Sequence, residues 1–237
     1  MLESPCHLLY EGKAKKIYAT SNPQHYIVDY KDAASAFNGL KKATIEGKGA
    51  LNNRISNYLM QYLQTQGIST HFLQELSPTQ TRVKKLTMFA LEVIVRNLAA
   101  GSIAKRLGLQ EGLPFETPVL EFCYKNDALG DPLINDDHAL ALKLASHAEL
   151  QTLRALALQI NDLLGAYFKS KGVILVDFKL EFGKDAQGQI VLGDEVSPDT
   201  CRFWDATTRQ KLDKDRFRED LGGLCQAYET ILQKVSH

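Results

Sequence analysis

The segment VILVDFKLEF, residues 173–182, constrains this chain most. A strand sends alternate side chains to opposite faces. On that period Val176, Phe178, Leu180 and Phe182 share one apolar face, and Leu175, Asp177, Lys179 and Glu181 share the other. The apolar face must be core, so the strand is expected to be central. Its charged face is either solvated or the floor of a cleft. The following GKDAQGQ is a turn, and IVLGDEVSPD returns as a second strand. A hairpin about residues 186–188 brings Asp194 back beside Lys179 and Glu181. If that face is a cleft, two carboxylates on paired strands suit a Mg²⁺ site, because Mg²⁺ takes one or two carboxylates, its own waters and substrate phosphates. Gly193 lets a ligand approach the backbone beside Asp194.

The rest of the chain frames that hairpin. LLYEG, KKIYAT and YIVDY suggest a meander of short strands, and residues 70–73 and 82–85 suggest two more. From 90 to 97, Leu91, Val93 and Val95 alternate with Glu92, Ile94 and Arg96. Three long helices are expected. One spans 49–66, with Leu51, Ile55, Tyr58, Leu59, Tyr62 and Leu63 inward. A second spans 149–170. The third starts near Asp213 and buries Phe217, Leu221, Leu224, Tyr228 and Ile231. Strands and helices do not alternate regularly, which argues for α+β with mostly antiparallel sheet. The composition change near residues 85–90 places a lobe boundary there.

Two further segments can bind anions. Glu11-Gly12-Lys13-Ala14-Lys15-Lys16 is a glycine turn entering a strand, with Lys13 and Lys15 on one face. It is either a solvated basic hairpin or a polyphosphate site. In VIVRNLAAGSIAKRLG, residues 93–108, Arg96 ends a strand and Ser102 is placed to cap a short helix over 103–107. That is either a plain cap or an anion site built from a helix N-terminus, a hydroxyl and an arginine. Arg202 can reach the same anion.

Composition excludes several classes. The 28 basic and 28 acidic residues cancel, so no global field draws the chain to nucleic acid or anionic lipid. The four cysteines show no C-x-x-C pair and suit a reducing, cytoplasmic compartment. The amino-terminal residues carry no apolar signal region, and no run reaches the ~20 residues of a membrane span. Walker A and G-x-G-x-x-G sequences are absent, as is an H-R-D base loop of the kinase type. The six histidines show no ligand spacing, and no Ser–His–Asp or Cys–His set emerges.

Taken in order, YEGKAKKIY (10–18), FNGLKKATIEGKGALNNRIS (37–56), VKKL (83–86), VRNLAAGSIAKRLG (95–108), KNDALGDP (125–132), VDFKLEFG (176–183), GDEVSPDTCRFWD (193–205) and DKDRFRED (213–220) resemble the SAICAR synthetase (phosphoribosylaminoimidazole-succinocarboxamide synthase) family. The likeness runs over nearly the whole chain. It implies a two-lobed α+β fold with an ATP cleft between lobes, related to protein kinases and ATP-grasp enzymes. Residues 1–88 would form a strand-rich ATP-binding lobe, and 89–237 an α+β lobe with the substrate and metal sites. The implied reaction joins the carboxylate of carboxyaminoimidazole ribonucleotide (CAIR) to the amine of L-aspartate, with ATP giving ADP and phosphate in purine biosynthesis. An acyl phosphate on the imidazole carboxylate is the implied intermediate. By the same resemblance Lys13 and Lys15 hold the ATP phosphates and Glu181 and Asp194 hold Mg²⁺. The stretch from Lys84 to Met88 borders the adenine. Arg96, Ser102 and Arg202 take the ribonucleotide phosphate, and Asp177 and Lys179 line the reacting centre. Some members carry Gly-Asp-Gly where this chain has Phe37-Asn38-Gly39, leaving Ser35 as the nearby polar group for substrate. The resemblance also implies a homodimer.

Overall fold

The computed structural model describes residues 6–236, without the side chain of Asn38. Residues 1–5 and His237, which belong to the two expected lobes, lie outside the described residues.

In chain order the elements are β1 (Leu8–Glu11), β2 (Lys15–Ala19), β3 (His25–Tyr30), β4 (Ala33–Ala36), β5 (Lys41–Thr44), α1 (Lys48–Thr65), β6 (Phe72–Glu75) and β7 (Gln80–Lys84). Then come β8 (Thr87–Leu98), α2 (Ser102–Leu107), β9 (Pro114–Tyr124), β10 (Leu133–Ile134), α3 (Asp136–Ala141) and α4 (His147–Ser170). The last are β11 (Val173–Lys184), β12 (Ile190–Gly193), β13 (Cys201–Asp205), α5 (Asp215–Arg218) and α6 (Leu224–Ser236). One antiparallel sheet runs β1-β2-β3-β7-β6 and a second runs β10-β9-β8-β11-β12, with β13 also on β11. The fold is α+β with antiparallel sheets, as expected.

β11 is central because it is long. Of its 12 residues, Asp177–Lys184 pair with β8 along one edge; along the other, Val173–Phe178 pair with β13 and Glu181–Lys184 with β12. The main core lies between this sheet and α1, α4 and α6. Each large apolar side chain buried there contributes roughly 1.5–3 kcal/mol, offset in large part by lost chain entropy. A smaller core of Val28, Tyr30 and Val83 belongs to the first sheet.

Three expectations need correction. The alternation along β11 is not continuous: the β11–β13 register shifts between Leu175 and Asp177. Val173, Leu175, Phe178, Leu180 and Phe182 face the main core. Val176, the extra residue of this bulge, joins Ala100 and Trp204 in a separate cluster, packed with Ile174 and Leu98. Leu175 therefore does not share the face of Asp177. Second, the carboxy-terminal helix is broken. Asp220, Gly222 and Gly223 have φ of 57°, 67° and 62°, values a helix cannot continue through, so Leu221 is 48% exposed. Third, Tyr58 on α1 is an exposed residue, not part of the inward stripe.

Candidate active site

The polar face of β11 and its neighbours floors a cavity of about 590 Å³, within the roughly 300–1,000 Å³ common for small-molecule sites. Lys13, Lys15, Ser35, Lys84, Met88, Lys179, Glu181 and Asp194 all line it. A second cavity of about 200 Å³ is lined by Arg96, Ser102, Asp177, Lys179 and Arg202. Lys179, Asp199, Thr200 and Arg218 border both. The residues singled out from sequence thus fall into two adjoining groups separated by one shared wall.

The hairpin geometry explains the larger group. Glu181 lies opposite Gly193 in the β11–β12 register, which sets Asp194 one step beyond. Asp194 adopts φ 54°, a costly conformation for a non-glycine residue. Lys179 Nζ bridges the carboxylates, bonding Glu181 and lying 3.0 Å from Asp194. Lys15 bonds the other Asp194 oxygen and lies 2.7 Å from Glu195. Burial works against charge at Lys15 and Lys179, yet the surrounding carboxylates outweigh it and hold both ammonium groups well above the usual lysine range. For Asp194 burial is likewise overcome, by Lys15 and Lys179, and its carboxyl sits well below the usual value. Burial raises the Glu92 carboxyl and pushes His71 down to about 4, so the imidazole is neutral.

Glu181 and Asp194 meet on a single cationic atom, Lys179 Nζ. Two carboxylates thus converge within reach of one cation. No group of three or more His, Cys, Asp or Glu fit for a metal occurs among the described residues, so any cation here would complete its shell with water and phosphate oxygens. The expected open space at Gly193 is filled: a Cβ there would lie 3.1 Å from Met88 Cε and 3.2 Å from Leu86 Cδ1. Gly193 admits those two side chains to the cavity rim.

The smaller group is a chain of alternating charges. Arg96 bonds Glu121 at 2.7 Å, Asp177 at 2.9 Å and Ser102 Oγ at 3.0 Å. Arg202 bonds the same Asp177 at 2.8 Å and Asp215 at 2.7 Å. The expected Ser102 cap is not made. Gly101 occupies the cap position, without a side-chain cap bond, and Ser102 is the first helical residue. Its hydroxyl accepts from Arg96 instead. Gly101 has φ 58°, and a Cβ on it would collide with the Arg202 guanidinium; only glycine lets Arg202 lie across this turn.

Sequence reasoning missed Lys125, Asp199, Lys214 and Arg218. Lys125 bonds Glu181 from the loop after β9. Asp199 accepts from Lys48 of α1 at 2.7 Å and from the Tyr228 hydroxyl of α6 at 2.6 Å. Both Lys214 and Arg218 occur in DKDRFRED, whose dense charge was the available signal. Nothing local links Lys48 to Asp199, which lie 151 residues apart.

Comparison with known proteins agrees with this geometry. The sequence model described as SAICAR synthetase matches residues 8–235. The chain is 59% identical over 228 residues to the phosphoribosylaminoimidazole-succinocarboxamide synthase of Caldanaerobacter subterraneus subsp. tengcongensis, covering 96% of this chain and 97% of that one. The crystal structure of the Ehrlichia chaffeensis synthase superposes with a TM-score of 0.95 at 46% identity, covering 97% of this chain and 98% of that one. A SAICAR synthetase in complex with ADP superposes at 0.93 with 49% identity, covering 97% of each chain.

Proposed function

The chain belongs to the SAICAR synthetase family, and we propose from that membership that it is an ATP-dependent ligase of purine biosynthesis, joining the carboxylate of CAIR to L-aspartate with release of ADP and phosphate. The observation that carries the reading is the shared wall. A lysine-rich cavity suited to a polyphosphate and an arginine-lined cavity suited to one phosphate meet at Lys179, Asp199, Thr200 and Arg218. A ribonucleotide seated by its phosphate in the small cavity presents its far end, the carboxylate, at that wall.

The roles follow from charge and reach. Lys13 and Lys15 take ATP phosphates, and the stretch from Lys84 to Met88 borders the base. Glu181 and Asp194 would hold Mg²⁺, which would neutralise phosphate charge. Arg96 and Arg202 grip the ribonucleotide phosphate with Ser102 beside them. Lys179 faces the carboxylate as it accepts the phosphoryl group, where two anions must be brought together. Asp177 lies between Arg96 and Arg202, which supports a role in aligning them. Ser35 lines the larger cavity and is available to the substrate. The described residues up to 88 form the ATP-binding lobe, and those from 89 onward the substrate and metal lobe. The protein works in the cytoplasm as a homodimer. Cys123, Cys201 and Cys225 are free thiols, and no helix among the described residues is long and apolar enough to cross a membrane.

A coupled assay tests the activity. ADP and the succinocarboxamide should form when CAIR, aspartate, ATP and Mg²⁺ are all present, and the succinocarboxamide should vanish when aspartate is omitted. ATP binding with no succinocarboxamide under complete conditions would overturn the reading.

A further inference from the structure

Lys214 stands beside the shared wall and borders the large cavity with a side chain only 16% exposed. Its backbone N–H donates to Pro198 O at 3.0 Å, fixing it against the loop that carries Asp199. Yet its Nζ lies 3.8 Å from the Asp199 carboxylate, beyond hydrogen-bond reach. Both Asp199 oxygens are already taken, one by Lys48 and one by Tyr228. Of the other charges nearby, Arg218 is bound to Asp215, and Glu195 is held by Lys15 and Ser197. The corner therefore gathers three cations, Lys48, Lys214 and Arg218, about one carboxylate. Lys15, Lys125 and Lys179 are each locked onto carboxylates.

We infer that Lys214 is the general base of amide formation, its Nζ taking a proton from the α-ammonium of the amino-acid substrate at the wall between the two cavities. The inference rests on the ligase reading above. The α-ammonium passes one proton to the Lys214 amine, which becomes an ammonium. The freed nitrogen lone pair forms the C–N bond to the acyl carbon. The bond from that carbon to the phosphate oxygen breaks, and its electron pair leaves with phosphate. The second amine proton goes to the departing phosphate, leaving one N–H on the amide.

The surroundings suit this task. Burial lowers the Lys214 ammonium from the ordinary lysine value; Asp199 and Glu195 oppose that, and Arg218 and Lys48 add to it. This tilts the side chain toward the neutral amine that a base must supply. Once protonated, Lys214 gains the attraction of Asp199, whose charge is fixed by Lys48 and Tyr228. A general base needs reach of the proton and a suitable affinity for it; Lys214 lines the large cavity, and burial lowers its hold on a proton.

Hydroxylamine provides the test, because it is unprotonated at neutral pH and attacks acyl phosphates without a base. ADP release with CAIR, ATP and Mg²⁺ is measured with aspartate or hydroxylamine as acceptor, in the wild type, Lys214→Met and Lys214→Arg. We expect aspartate-dependent turnover to fall by on the order of 10²–10⁴-fold in both variants. Hydroxylamine-dependent release should stay within about threefold, and the acid limb of the aspartate pH profile should move to higher pH in Lys214→Arg. Retained aspartate turnover in Lys214→Arg, a loss confined to the aspartate KM, or equal losses with both acceptors would each overturn the assignment alone. No hydroxylamine-dependent release in the wild type would overturn the acyl-phosphate route and the assignment with it.

Discussion

Asp177 lies directly opposite Arg96 in the β11–β8 register and bonds its guanidinium at 2.9 Å, while Arg202 grips the same carboxylate from β13 at 2.8 Å. One buried anion thus sets the spacing of two arginines. Asp177→Asn keeps the shape and removes the charge. Breaking a buried ion pair on one side costs about 3–5 kcal/mol. We expect a urea midpoint lowered by a comparable stability loss, with a raised KM for the ribonucleotide. An unchanged midpoint would show that the pairs are not energetically coupled to the fold.

Gly101→Ala tests the neighbouring turn. The new methyl would meet the Arg202 guanidinium at a residue already in the left-handed region. Arg202 must then leave Asp177 or the turn must shift. The expected result is a ribonucleotide KM raised roughly tenfold, about 1.4 kcal/mol, with the ATP KM little changed. An equal rise in both constants would point to general distortion.

Glu181→Gln and Asp194→Asn remove the paired charges of the proposed metal site while keeping side-chain volume. Turnover should drop at least about 100-fold, and the Mg²⁺ concentration giving half activity should rise. Circular dichroism should stay unchanged. Normal turnover in either variant would rule out its metal role.

Lys48→Met leaves Asp199 buried without its lysine partner. A stability loss of roughly 3–5 kcal/mol is expected at neutral pH. Burial opposes the ionised Asp199, but Lys214, Lys48 and Tyr228 overcome it and lower its folded pKa. A lowered carboxylate contributes stability that is full above its unfolded pKa and is lost as pH falls through the folded one. The gap between wild type and Lys48→Met should therefore narrow below the ordinary aspartate range. A gap independent of pH would refute the charge-based account.

Ser146 and Glu149 form a capping box at the start of α4. Lys184 and the Ser146 contacts hold the Glu149 carboxyl down to about 2. Ser146→Ala should cost about 1 kcal/mol, a fall of roughly 2–4 °C in Tm for a chain of this size. Thermal melts read this directly, and a shift below half a degree would discount the cap.

Much of this was legible locally. The period of two in Leu91, Val93 and Val95 placed β8, and the GKDAQGQ turn brought Asp194 to Glu181, because strand pairing converts local pattern into position. The bulge at Val176 was not legible: an inserted apolar residue in an apolar run leaves no mark in the pattern. The helix break was written in Gly222-Gly223, but the apolar spacing across it concealed the stop. Ser102 occupied a plausible cap position, but the helix begins one residue earlier, with Gly101 at the cap, and the Ser102 hydroxyl accepts from Arg96 of β8. Lys48, Asp199 and Tyr228 converge through tertiary packing, for which a single sequence carries no signal.

The Val176 bulge also shapes how charge is felt. It sets Val176, with Ala100 and Trp204, in a dry pad at 0%, 0% and 5% exposure, next to the strand positions of Asp177 and Arg202. Such a pad polarises weakly, so the field of the arginines spreads little into it and is directed toward the small cavity. An anion entering that cavity meets an insulated electrode, with a stronger pull than the same charges would exert on an open surface. The pad lines neither cavity, yet a hydroxyl introduced at Val176 would weaken anion binding by making the insulation leak.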